Sequence, residues 1–199
     1  MRPSEFAKCT DFPCLDVNKD CYIVPNMEIE PDRIRIIMIS EAPPQDSSDY
    51  FYAQNNPFYM KTTAQAFRDA GLDVSSMVDV LNLGVYVTTA IKCGKTGYSI
   101  SSKTVENCSS ILETEMDLFS NVRAILLMGD TAIKAMNYMA KRNIGKRVIP
   151  SGSTYKIRRN KYFYKQVRVF PSYLQTGKSY LIEKTKRKMI AEDIKAALE

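Results

Sequence analysis

Apolar residues fall along this chain in short β-rich bursts, separated by longer stretches in which they recur every three or four positions. The first burst, Ile34-Arg35-Ile36-Ile37-Met38-Ile39, stops at Ser40-Glu41-Ala42-Pro43-Pro44 and reads as a buried strand emptying into a loop. Val85–Ile91 predicts a second strand, Ala124–Met128 a short third ending at Gly129, and Val167-Arg168-Val169-Phe170 a further one ending at Pro171. Between them the period becomes helical. Thr62–Ala70 repeats Ala64, Phe67 and Ala70 before Gly71, a C-terminal cap signal, and Lys103–Phe119 can bury Val105, Cys108, Ile111, Leu112, Met116 and Leu118 on one stripe. Helices are also predicted over Thr131–Arg142 and near Tyr180–Leu198. Strands alternating with helices predict an α/β fold, a three-layer α/β/α sandwich around a central, mainly parallel four-stranded sheet. In such sheets the ligand lies at the carboxyl ends of the strands.

The remaining segments predict loops or edges. Residues 1–32 hold Pro3, Pro13, Pro25 and Pro31 and predict an irregular segment that carries cysteines. Gln45–Met60 mixes aromatic with polar residues, a loop with side chains on offer. From Val148 to Val169 the pattern is β-like and strongly basic, with Arg159-Asn160-Lys161 as the expected hairpin turn. There is no internal repeat, and 199 residues suit one domain.

Charge changes the picture more than composition does. The net charge is +6, yet residues 141–199 carry 16 basic and 4 acidic groups while residues 1–140 carry 12 and 18. Such polarity suits a polyanionic partner, although a solvated surface could cluster its charges in the same way. Histidine is absent, which excludes a histidine base, a histidine metal ligand and a Ser-His-Asp triad. No apolar run reaches the roughly 18 residues a membrane helix needs, and the N-terminus lacks a signal-peptide core, so a cytoplasmic protein is expected. The five cysteines, Cys9, Cys14, Cys21, Cys93 and Cys108, are odd in number and argue against a disulfide framework. Metal or cluster ligation competes with burial as small apolar side chains.

Five segments in order carry a family resemblance. Ile36–Pro44 (IIMISEAPP) is similar to the GEAPG motif of iron-sulfur uracil-DNA glycosylases. Asn56-Pro57-Phe58, followed by Ala64 and Gly71-Leu72, resembles their PF-x-G-x-A-G segment, and Val85–Cys93 (VYVTTAIKC) their VYITNVVKC strand and loop. Cys108, Leu112, Met128-Gly129 and Ala132 match a C-x3-L helix and an ALG-x2-A turn, and Val169–Leu174 (VFPSYL) resembles the HPSYL motif. The chain thus resembles the uracil-DNA glycosylase superfamily, most of all its iron-sulfur bacterial and archaeal members, with degenerate catalytic motifs.

The resemblance implies a reaction and a set of residues. Glycosylases flip the target nucleotide out of the duplex and break the bond to the sugar through a cationic sugar, the base leaving as an anion. Glu41 occupies the motif glutamate, which orients water or stabilises the cation. Ser40, Ala42, Phe58, Thr89 and Phe170 fall on base-binding positions, Phe58 as the stacking ring. Two departures are serious. Thr89 stands where the family reads the base with asparagine, and Phe170 replaces the motif histidine and has nothing to donate. Losing one such donor costs about 10²–10³ in rate. Ser40 and Pro44 replace two glycines of the motif, and Asp46 and Asp49 read as solvated loop carboxylates.

By the same carry-over Cys9, Cys14, Cys93 and Cys108 would ligate a structural four-iron four-sulfur cluster, with 14 residues between the last two. Cys21 is a rival for the C-x4-C pair, and a structural zinc or free buried thiols are the alternatives. The loop that wedges into DNA falls on Phe170–Lys178, making Tyr173 and Leu174 wedge residues and Ser172 and Lys178 DNA contacts. Arg158 and Arg159 of the basic segment are expected on phosphates. DNA is the expected partner of a monomeric chain. The implied activity is excision of uracil or another deaminated base. The alternatives are a glycosylase-like module that binds DNA with little or no catalysis, and a flavodoxin-like nucleotide-binding protein. The last predicts a glycine-rich loop after the first strand, and Ser40–Pro44 holds no glycine.

Overall fold

A strand with no solvated face belongs inside a sheet covered on both sides, and three segments here are of that kind. In the computed structural model, which describes residues 1–199, every side chain of β2 (Ile36–Ser40), β3 (Val85–Thr89) and β5 (Ala124–Met128) is buried. They pair in parallel: Ile36 faces Val85 on one side of β2 and Ala124 on the other, and Ser40 faces Thr89. β7 (Val167–Ser172) continues the parallel set beside β5, and β6 (Tyr162–Tyr164) pairs antiparallel with β7 at the edge. The sheet therefore has five strands in the order β3-β2-β5-β7-β6, not the four expected. The extra strand is the short β6. The expected turn at Arg159–Lys161 is also displaced. The reversal falls at Lys165, whose backbone is left-handed (φ 55°), while Thr154–Ile157 forms a one-turn helix, α5.

Helices cover both faces. On one side α1 (Phe58–Asp69), α2 (Met77–Asn82), α6 (Lys178–Ile182) and α7 (Lys184–Leu198) pack on Ile36, Met38, Val85, Val87, Leu126 and Phe170. On the other, α3 (Ser102–Met116) and α4 (Asp130–Ile144) pack on Ile37, Ile39, Tyr86, Ile125 and Leu127. Each fully buried Ile, Leu or Met contributes about 1.5–3 kcal/mol. Phe67→Ala in α1, fully buried in this packing, should cost roughly 3–5 kcal/mol. α2 is absent from the periodicity because it has six residues, but its capping box is legible: Ser76 and Asp79 bond each other's backbone N–H.

The N-terminal segment has little regular structure beyond three-residue helical turns and β1 (Val17–Asn18), which pairs with β4 (Gly94–Lys95). Gly94 is required there, since a Cβ would lie 2.7 Å from Cys21 Cβ. The open edge of β3 is closed by Tyr52, whose hydroxyl donates to Val87 O (2.9 Å) and accepts from Val87 N–H (3.1 Å). No helix is long and apolar enough to cross a membrane.

Candidate functional site

The four parallel strands end on one edge of the sheet, and the backbone beyond them is stitched together. Ala90 N–H donates to Ser40 O, Ile91 N–H to Glu41 O, and Gly129 N–H to Ser172 O. The tips after β2, β3, β5 and β7 thus meet, and Gly129, at φ +94°, turns directly from β5 into α4 with Leu174 packed against it.

Glu41 leaves β2 toward α4. Its Oε2 accepts from Lys95 Nζ (3.0 Å) and its Oε1 from Thr131 Oγ1 (3.0 Å), and the side chain keeps 23 % of its exposure. A carboxylate held from two sides yet still wet can position water or face a developing cation. Lys95 and Thr131 did not stand out in the sequence. The available signals were a lysine two residues after Cys93 and a threonine in the first turn of α4.

The base-binding expectations land differently. Ser40 and Thr89 are register partners on the last rung of β2 and β3, both wholly buried and both with hydroxyls that lack a partner. Ala42 is buried beside them in the chain, on the α3/α4 side. Phe58 opens α1, half-buried, its N–H donating to Asp49 Oδ1 (3.1 Å), while Asp46 caps its own turn by accepting from Ser48 N–H. Phe170 points into the packing under α7, with the Arg168 guanidinium 4.9 Å from its ring centre. None of the three principal cavities is lined by Glu41, Phe58 or Thr89.

Of the expected DNA contacts, Tyr173 and Leu174 are half-buried and line a cavity of about 410 Å³, and Lys178 and Arg159 are exposed. Two others are not available to DNA. Ser172 is fully buried and donates to Asp193 Oδ2 (2.6 Å). Arg158 is buried too, its guanidinium donating to Asp193 Oδ1 (2.7 Å), Glu192 and Met189 O. Burial alone would lower Arg158, but the bonds to Asp193 and Glu192 raise it above its ordinary value, so its charge is committed inside. Charge patterning could not separate Arg158 from Arg159, because the one-turn helix α5 sends the neighbours in opposite directions.

The cysteines converge. Cys9, Cys14, Cys93 and Cys108 all line one cavity of about 300 Å³ between the N-terminal segment and α3. Cys21 lies outside it, its thiol donating to Gln45 O (3.0 Å) and accepting from Asn18. Burial pushes the Cys93 thiol up to about 12, and the neighbouring Cys108, Cys9 and Cys14 add to the rise. Burial also raises Cys108, against the N–H that Lys92 donates to its sulfur. No three Cys, Asp or Glu groups close on one point as a single ion requires.

Beneath these loops lies an ion pair that the sequence did not advertise. Lys92 and Glu115 are both fully buried and bonded to each other, with Lys92 Nζ also donating to Thr88 Oγ1 (2.9 Å) and Thr89 O (2.6 Å). Glu115 further accepts from Thr88 Oγ1 (2.8 Å) and from the Tyr86 hydroxyl. The network ties the end of β3 to α3.

No curated protein matches the chain. A family model does, over residues 27–195, spanning the sheet, the Glu41 tip and the loop after β7. With four parallel strands meeting at a glutamate-bearing tip and the family match covering most of its length, the chain belongs to the uracil DNA glycosylase superfamily.

Proposed function

We propose that the protein excises uracil or another deaminated base from DNA by hydrolysing the N-glycosidic bond, with Glu41 as the catalytic carboxylate. The observation that carries this reading is the setting of Glu41, held by Lys95 and Thr131 at the meeting point of the strand tips while still reached by water. In the reaction the C1′–N bond breaks and its electron pair leaves with the base. Water adds its oxygen to C1′, and Glu41 receives the water's proton or faces the cationic sugar. Lys95 and Thr131 fix the rotamer, so little reorganisation is needed at the moment of bond cleavage.

DNA binding is supported by cations that have no carboxylate within reach. Lys141, Arg147, Lys156, Arg159, Lys161 and Lys178 are exposed and outside every ion pair. Phosphate contacts of this kind set affinity and salt dependence rather than sequence preference.

A cluster would sit on Cys9, Cys14, Cys93 and Cys108, as in the iron-sulfur members of the superfamily. An all-sulfur donor set spread around a hollow fits a multi-atom iron-sulfur group better than a zinc ion, whose four ligands lie about 2.3 Å from one centre. When bound, the group supplies cross-linking of the irregular N-terminal segment to α3 and takes no part in the hydrolysis.

A second reading, a DNA-binding module with little or no catalysis, is favoured by Phe170, which has no donor for a departing base, and by the burial of Thr89. Oligonucleotides carrying uracil, hypoxanthine or xanthine, treated with protein and then alkali, separate the two. Strand cleavage that falls about 10²–10³-fold in Glu41→Gln supports the enzyme. Salt-sensitive binding with no cleavage of any lesion supports the module.

A further inference from the structure

Folded chains leave few buried polar atoms without a hydrogen bond, because the cost is large relative to net stability. Four side-chain atoms here are in that state: Ser40 Oγ, the Tyr50 hydroxyl, Thr89 Oγ1 and Gln175 Oε1, on residues between 0 and 3 % exposed. They are not scattered. Strand alternation places Ser40 and Thr89 on the same sheet face as Met38 and Val87, the face that α1 and α7 cover. Tyr50 packs on that face with its hydroxyl beside those of Thr88 and Thr89, though in hydrogen-bonding geometry with neither. Gln175, in the loop after β7, reaches the same layer. Its Nε2 lies 3.5 Å from both Met38 Sδ and Thr63 Oγ1, contacts too long to be strong, and its carbonyl is free. The unpartnered polar side-chain atoms of the buried interior thus fall in one layer, those of Ser40, Thr89 and Tyr50 by the last rung of β2 and β3 and that of Gln175 against Met38, two residues before Ser40 on the same face.

We propose that Gln175 and Tyr50, with Ser40 and Thr89, are the reading surface for an extruded nucleobase that carries an N–H beside a carbonyl. Gln175 supplies the planar amide that the Thr89 position lacks. The proposal rests on the glycosylase reading above and names what that site recognises. The free Gln175 carbonyl accepts the base N–H. The three hydroxyls, each able to donate, meet its carbonyl oxygens. Uracil, hypoxanthine and xanthine offer that edge, as do thymine and guanine, whereas cytosine and adenine place a ring acceptor beside an amino group. All four residues are buried in the structure, so a base enters only when the Gln45–Pro57 segment that carries Tyr50 withdraws. That segment joins α1 through Asn55 and Asn56, both with left-handed backbone (φ 63° and 55°).

The test compares the wild type with Gln175→Leu and Tyr50→Phe, which remove the unpartnered atoms at nearly constant volume. Without ligand each variant should melt higher than the wild type, by roughly 2–4 °C, because a buried group without a partner has been removed. Turnover of uracil-, hypoxanthine- or xanthine-containing single strands should fall at least about 100-fold in Gln175→Leu. Variants that melt lower while turnover is unchanged would overturn the proposal, since the groups would then be structural. If the wild type cleaves none of these strands, the glycosylase reading fails and the reading surface is judged on free bases. Millimolar uracil or xanthine, but not cytosine, should raise the melting temperature of the wild type and leave Gln175→Leu unmoved. No shift with any base would sink the reading surface as well.

Discussion

Lys92→Met strikes directly at the frame that carries the site. The Lys92 ammonium and the Glu115 carboxylate are both wholly buried, and removing the lysine leaves the carboxylate with only the Thr88 and Tyr86 hydroxyls. Breaking a buried pair from one side costs about 3–5 kcal/mol, because the surviving charge has lost its counter-charge without regaining water. For a chain of this length that lowers the melting temperature by roughly 6–20 °C. Replacing both partners, as Lys92→Met with Glu115→Leu, removes the stranded charge but orphans the two hydroxyls, at about 1–3 kcal/mol each. Adding Tyr86→Phe and Thr88→Val should then recover most of the loss. Urea unfolding of the two single variants, the double and the quadruple reads these terms directly, and the single losses should sum to at least about 2 kcal/mol more than the double. A Lys92→Met variant that loses less than about 1 kcal/mol, or a double variant whose loss equals the sum of the singles, would refute the claim that the pair behaves as one buried unit.

The neighbours Arg158 and Arg159 should behave oppositely. Arg158→Met strands Asp193 and costs roughly 3–5 kcal/mol in denaturant unfolding, whereas Arg159→Ala leaves stability within about 0.5 kcal/mol and reduces the salt slope of DNA binding by about one. Cys21→Ser should leave iron content unchanged after anaerobic purification, while Cys93→Ser should lose it, because only the latter thiol lines the shared cavity. Bonds from the backbone and hydroxyls of Ser75 and Ser76 hold the Asp79 carboxyl down at about 2, below its ordinary 3.8. Its depressed value makes the cap stabilising above pH about 4, with that contribution lost as pH falls toward 2, so a pH titration of stability in Asp79→Asn should lack this acid-side slope.

Periodicity carried the fold because it reports burial. Ala124–Met128 was legible to the residue, and β2 and β3 to within two, since a strand covered on both faces is apolar at every position. What failed was short or polar. β6 has three residues, one of them exposed Phe163, and its turn uses Lys165 in a left-handed backbone where a glycine or asparagine would have signalled it. At the site, Glu41 and the four cysteines were picked out by the family resemblance; the structure brings Glu41 to the strand tips and places Cys9, Cys14, Cys93 and Cys108 around one cavity, with Cys21 outside it. The sequence could not tell that Ser172 and Arg158 face Asp193, since the partner lies on a helix 21 and 35 residues away. Nor does any local pattern announce Gln175, whose significance is its unsatisfied carbonyl inside the fold.

The two halves of the candidate site lie on opposite sides of β2, and this constrains how they could act together. Glu41 turns toward α4, where Thr131 meets it. Ser40, one residue earlier, turns toward α1 and α7 with Thr89 and Tyr50. A nucleotide using both must lie across the tip of β2, its base on the α1 side and its sugar at Glu41, so that the glycosidic bond crosses the end of the strand. Thr89 and Phe170, which by the resemblance stand at the family's asparagine and histidine, both lie on the α1 and α7 side. On the sugar side Glu41 keeps a full set of partners in Lys95 and Thr131. On the proposed reading, Thr89 and Phe170 therefore bear on which base is held before they bear on whether the bond can be broken, and an activity screen that offers only uracil would confuse the two.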